Sequence, residues 1–171
     1  MKKYSFIVFV FSLFLIISCA SDETCTQTKY VKLTVNFYHP NPLDTIIANR
    51  ITTLSIDSLT VQGLKKDSSG KYTPVDSILY NNQKNVSTIN LPLNNFSTSS
   101  IFKIRFNAIT DTMIITHSNL NDYLSLECGC IITHTIDSVI MTNHYIDSAR
   151  IKIHDVNTIN AENIRLYNKF K

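Results

Sequence analysis

The chain has 171 residues, of which 17% are charged, and a formal net charge of +3. That length suits one domain able to bury a core of its own, and with no clustered basic face it argues against a nucleic-acid-binding protein. Three glycines, no tryptophan and abundant Ile, Thr, Val, Tyr and Phe favour strands over helices.

In chain order, Met1-Lys2-Lys3 is a basic start, and Tyr4 to Ile17 is an apolar run broken only by Ser5 and Ser12. The run is short of the roughly 20 apolar residues that a membrane-spanning helix needs. A basic flank, a short apolar core and a small residue before a cleavage point are the features of an export signal. Here the run stops at Leu15-Ile16-Ile17-Ser18-Cys19, which reads as a lipoprotein signal. The expectation is a signal peptide over 1–18, lipid on Cys19, a flexible linker over 19–28 and one domain over 29–171. Membrane attachment then comes through the lipid, with the domain on the periplasmic or outer face of an outer membrane. Loss of Lys2 and Lys3 leaves fourteen basic residues against thirteen acidic ones, so the mature chain is nearly neutral. Ala20-Ser21-Asp22-Glu23 reads either as a solvated linker or, by resemblance, as the acidic tag of surface-exported Bacteroidetes lipoproteins.

Tyr30 to Tyr38 alternates, with Val31, Leu33, Val35 and Phe37 on one face and Lys32, Thr34 and Asn36 on the other. This predicts a strand with one wet face, ended by the prolines at 40 and 42. Strands are predicted at 51–61, 75–80, 86–93, 102–108, 113–116, 123–126, 131–142, 149–153 and 163–167. Polar loops are predicted at 62–72, 81–85 and 94–100. The fold class expected is all-β, an antiparallel β-sandwich of about 8–10 strands. A barrel is the competing architecture.

A four-residue unit recurs: Ile56-Asp57-Ser58-Leu59, Val75-Asp76-Ser77-Ile78, Ile136-Asp137-Ser138-Val139 and Ile146-Asp147-Ser148-Ala149. Asp44-Thr45-Ile46 and Asp111-Thr112-Met113 are looser versions. The apolar parity switches at several of them, as from Ile132 and Ile136 to Val139 and Met141. Each strand face keeps one parity, so a switch needs an extra residue or a break. Asp followed by Ser or Thr suits such kinks, because both side chains bond nearby backbone. The unit also resembles the O-glycosylation acceptor motif of exported Bacteroidetes proteins. That resemblance makes Ser58, Ser77, Ser138, Ser148, Thr112 and Thr45 candidate acceptors. Two Asn-x-Ser matches, at Asn85 and Asn95, are discounted for a bacterial lipoprotein.

With Cys19 lipidated, Cys25, Cys128 and Cys130 remain in a compartment that permits disulfides. Closing Cys128 onto Cys130 strains a tight ring, so a bond from Cys25 is expected, preferably to Cys128, with Cys130 the alternative. A thiolate metal site is disfavoured, since one Cys-x-Cys lacks the paired spacing of zinc sites. His134, His144 and His154 differ in strand phase and are read as surface or strand-end residues. Asn119, Asn121 and Asp122 lack the fuller calcium-loop pattern. No metal, cofactor or catalytic residue is assigned, and no nucleophile elbow, zinc-protease motif or phosphate loop is present.

Ser125-Leu126-Glu127-Cys128-Gly129, Ile136 to Val139, Asn143, Ile146-Asp147-Ser148 and Asn163 to Tyr167 together resemble a Bacteroidetes lipoprotein family of unknown function. Cys25 and the Val31 to Phe37 strand fit it too, so the resemblance covers nearly all of the mature chain. It has a bulky apolar residue where Cys130 stands, which favours Cys130 as the free thiol. It implies no mechanism. The functional expectation is a lipid-anchored envelope protein that acts as a non-catalytic binding or structural module for a protein or glycan partner. The alternatives are an accessory subunit of an outer-membrane complex and a hydrolase acting on envelope glycans.

Overall fold

A computed structural model describes Cys25, residues 29–40 and residues 51–169, apart from the side chain of Asp76. The signal segment, Cys19, most of the linker and Thr45 lie outside the described residues. Among those described, the chain forms eleven strands and no helix, one strand more than the expected range.

Two sheets carry the fold. The first holds β1 (Leu33–Pro40), β2 (Ile51–Thr53), β5 (Thr88–Leu91), β9 (Ile146–Ile151) and β11 (Glu162–Asn168). β1 is central: β2 and β5 share one of its edges and β11 takes the other, followed by β9. The second holds β3 (Leu59–Lys66), β4 (Tyr72–Gln83), β6 (Ser99–Phe106), β7 (Ile109–Ser125), β8 (Gly129–Met141) and β10 (Asp155–Val156), in the order β10-β8-β7-β6-β3-β4. All pairs are antiparallel except β1 with β11, which run parallel. The fold is a β-sandwich.

The alternating residues of β1 explain the core. Leu33, Val35 and Phe37 are fully buried, and Phe37 meets Phe106 of the opposite sheet edge-to-face at 5.6 Å between centroids. Phe106 stacks in turn on Tyr145 at 4.8 Å. Leu59, Val61, Ile104, Met113, Ile115 and Ile136 supply the second sheet's half of the core, and Ile164 and Leu166 join β1 from the first.

Several boundaries differ from the sequence reading. The loop expected at 62–72 is mostly strand, since β3 continues to Lys66 and only 67–71 turn. There Asp67 accepts the Ser69 and Lys71 N–H groups, so an aspartate at the turn start closes it. The strands expected at 113–116 and 123–126 are parts of one 17-residue strand, β7. The strand expected at 51–61 is two, separated by a single bridge from Ile56 to Val86. The chain changes sheets at that point, which is where Asp57-Ser58 stands.

Candidate functional site

Two parts of the sandwich combine chemistry with position: the outer end of the β7–β8 hairpin and a buried imidazole cluster at that hairpin's base. The hairpin is long because β7 and β8 outrun their neighbours. Pairing of β6 with β7 stops at Ser99 and Thr116, and β10 meets β8 only at His134 and Thr135. Beyond these points residues 120–125 pair only with 129–133, as a two-stranded ribbon. Ser125 closes its turn by accepting the Cys128 N–H at 3.1 Å, and Gly129 takes the φ of 71° that the turn needs. A disulfide joins Cys25 to Cys128 across 103 residues, with 4.8 Å between Cα atoms. Cys130 is exposed and unbonded.

At the ribbon's base, His117, Asn119 and Ser100 from β7 and β6 meet His134 from β8. The Asn119 side-chain nitrogen lies within 3.2 Å of the carbonyls of Asn94, Asn95 and Ser97. Its Oδ1 is therefore the acceptor facing the imidazoles, and both His117 Nδ1 (2.9 Å) and His134 Nδ1 (2.8 Å) donate to it. His117 Nε2 is left to accept the Ser100 hydroxyl at 2.9 Å, and the Ser100 oxygen accepts the Asn94 N–H at 2.8 Å. The two rings meet edge-to-face at 5.1 Å. Burial pushes the His134 pKa down to about 4, with the His117 charge adding to the shift. Burial also lowers His117, against the Asn119 bond and the Asp137 charge, which raise it. Both rings are held neutral.

Ser100, His117 and Asn119 stand in the order of a hydroxyl, a base and an orienting group. Each of their polar atoms is engaged in holding the 94–97 loop against β7, however, so the arrangement is a clamp. His134 is thus buried, at 3% exposure, and the surface reading of it is corrected. His144 and His154 are exposed; they place Nδ1 on the Thr110 and Ile136 carbonyls, at 3.0 and 2.6 Å. His134, His144 and His154, which recur every ten residues, stay apart. His117, to which the sequence analysis gives no role, carries a signal in the sequence: its parity matches Met113 and Ile115, so it belongs to the core face.

The Asp-Ser units behave in two ways. At Ile136-Asp137-Ser138 the ladder runs from Thr116–Ser138 to His117–Ile136 and skips Asp137. At Ile146-Asp147-Ser148 it runs from Tyr167–Ser148 to Asn168–Ile146 and skips Asp147. Each aspartate is the extra residue of a bulge and is exposed. Val75, Asp76 and Ser77 together face Gly63 in a wider bulge, since Gln62 pairs with Ile78 and Leu64 with Pro74. Ser77 and Ser148 are exposed; Ser58 and Ser138 are half-buried, and the Ser58 hydroxyl bonds to Asn82 Oδ1. Thr112 is half-buried and stands at no kink, because β6 and β7 pair without interruption through it.

Its neighbour Asp111 is fully buried. The carboxylate accepts the N–H groups of His144 (2.6 Å), Tyr145 (2.8 Å) and Ile146 (3.0 Å) and the Thr142 hydroxyl (2.8 Å). Burial alone raises its pKa, and these bonds more than reverse that and hold it below the usual carboxylate range. They fix the connection that carries the chain from the second sheet back to the first.

Surface hollows are shallow. One of about 180 Å³ lies between β3, β4, β6 and the 92–94 segment and includes Ser77 and Ser100. A wider one of about 440 Å³ lies between residues 29–32 and the ribbon at 130–132 and includes Cys130, Lys29 and Lys32. Among the described residues no group of three or more His, Cys, Asp or Glu is placed to hold a metal ion.

No curated protein and no solved structure matches the chain. A family model does, over residues 58–168, which takes in β3 to β11 and leaves β1, the centre of the first sheet, outside the match. The chain belongs to that family, the family of unknown function DUF6452.

Proposed function

We propose that the protein is a lipid-anchored protein of the bacterial envelope, attached to the outer membrane through Cys19, whose β-sandwich is a non-catalytic binding or structural module. The observation that carries this reading is the Cys25–Cys128 disulfide, six residues after Cys19. A disulfide of this kind belongs to an oxidising compartment, which is where an exported lipoprotein resides. It also ties the arm that bears the lipid into the sheet, so that the anchor holds a folded domain. On this reading the partner is an envelope protein or glycan. The Asp-Ser units support a further part of the proposal, that Ser58, Ser77, Ser138 and Ser148 carry O-linked glycans: Ser77 and Ser148 are exposed at or beside a bulge, where a transferase can reach the hydroxyl.

The test is fractionation of the native envelope followed by mass spectrometry of the purified chain. Acyl mass on Cys19 in the outer-membrane fraction is the expected result. A chain without acyl mass overturns the anchor. A partner recovered repeatedly in fixed stoichiometry with the full chain would instead favour an accessory subunit of an outer-membrane complex.

A further inference from the structure

The ribbon end carries large apolar side chains in the open. Leu126 is 89% exposed and Tyr123 59% exposed. A two-stranded ribbon on its own is at best marginally stable in water, and beyond the β10 contact at His134 this one runs on for residues 120–125 of β7, about 20 Å. Lys29 and Lys32 flank it, lining the same hollow as Cys130, the residue paired with Tyr123.

We propose that the ribbon end is a membrane-contact site, with Leu126 and Tyr123 seated in the headgroup and upper acyl region of the bilayer that holds the anchor. The proposal rests on the lipoprotein reading of Cys19, and the length of the tether argues for it. Cys25 is six positions after Cys19, and such a stretch reaches at most about 22 Å. The disulfide adds 4.8 Å between Cα atoms. The tether therefore ends at the turn of the ribbon, next to Leu126, and keeps this end of the sandwich close to the bilayer. Tyrosine suits the interface, with an apolar ring and a polar tip. Lys29 and Lys32 supply positive charge for anionic headgroups. Glu127, beside Leu126 in the turn, limits the depth to the headgroup level. The sandwich then stands away from the membrane on its ribbon, with the β6–β7 turn at the far end.

The chain has no tryptophan, so single tryptophans report position. The acylated full chain, carrying Leu126→Trp, Tyr123→Trp or Ile109→Trp, is reconstituted in vesicles of phosphatidylethanolamine and phosphatidylglycerol with brominated acyl chains. Ile109 is exposed and opens β7 at the opposite end from the ribbon turn. The expected result is blue-shifted emission and at least twofold quenching for Leu126→Trp and Tyr123→Trp, with Ile109→Trp unquenched. Equal emission from all three, in protein that carries its acyl chain and stays on the vesicles, overturns the contact site and leaves the anchor standing. Absence of the acyl chain overturns both.

Discussion

The Asp111 carboxylate lies 3.0 Å from the N–H of Ile146, thirty-five residues further on, and neither residue is exposed to solvent. It takes three consecutive backbone N–H groups that would otherwise be buried or half-buried without a partner. Leaving buried donors unsatisfied costs about 1–3 kcal/mol each. Asp111→Ala is expected to lower unfolding free energy by about 3 kcal/mol or more, measured by urea denaturation. Asp111→Asn keeps the shape, replaces one acceptor oxygen by a donor, and is expected to cost nearly as much. A loss below about 1 kcal/mol in both variants would contradict the role given to this carboxylate.

Stability should fall with acid through the His117–His134 pair. A histidine whose folded pKa lies below its unfolded value binds its proton more readily in the unfolded chain. Stability is then complete above pH 6.5 and is lost as the pH falls towards about 4, the folded value for His134. At 1.36 kcal/mol per unit, that shift corresponds to roughly 3 kcal/mol. Asp111 adds a further loss at lower pH, since its depressed folded pKa stabilises only while the carboxylate stays ionised. Denaturation midpoints between pH 4 and 7 check the window. His134→Phe should flatten that part of the profile, whether or not it lowers stability at pH 7.

Asn119 holds two imidazoles and a loop at once. Asn119→Ala removes the acceptor of both ring N–H groups and the donor to the 94–97 carbonyls. A loss of about 2–4 kcal/mol is expected, with faster amide exchange in residues 94–98. Unchanged exchange in that loop would contradict the clamp.

The disulfide closes a loop of about 100 residues, for which the chain-entropy model allows up to about 4.7 kcal/mol. Cys25→Ser is expected to cost about 2–4 kcal/mol, and Cys130→Ser, at an exposed thiol, less than about 0.5 kcal/mol. Equal losses in the two variants would mean that Cys25 pairs with Cys130.

The bulges can be tested by deletion. Asp147→Ala leaves the extra residue in place and should change stability by less than about 0.5 kcal/mol. Deleting Asp147 restores an even ladder and forces either Ile146 or the residues after it onto the wrong face. It should cost several times as much, measured by thermal unfolding.

Much of this architecture was legible in the sequence where one face of a strand is wet. β1 alternates over Leu33 to Phe37, and β6 over Phe102 to Phe106, and both lie near where the pattern puts them. The parity switch at Asp137 is readable because a bulge shifts the apolar phase by one. The pattern failed where both faces are wet. Ser118 to Asp122 carries little apolar signal because all but Asn119 are exposed, and so the pattern predicts two short strands where one long β7 runs. Lys65 and Lys66 are exposed at the end of β3, and their polarity predicts loop. The buried polar groups were harder still. Asp111 was grouped with the Asp-Ser units by its neighbours, although its carboxylate sits in the core because its partners arrive from 142–146, a relation that only the fold creates. His117 shares the core parity of Met113 and Ile115, and that parity alone marks it as a core residue.

The most direct test of the account is mass spectrometry of the intact chain and its peptides, purified from the native envelope, with and without reduction. The account predicts acyl chains on Cys19 as the first residue and a reducible peptide pair joining Cys25 to Cys128. A chain that starts elsewhere without lipid, or a Cys25–Cys130 pair, would contradict it.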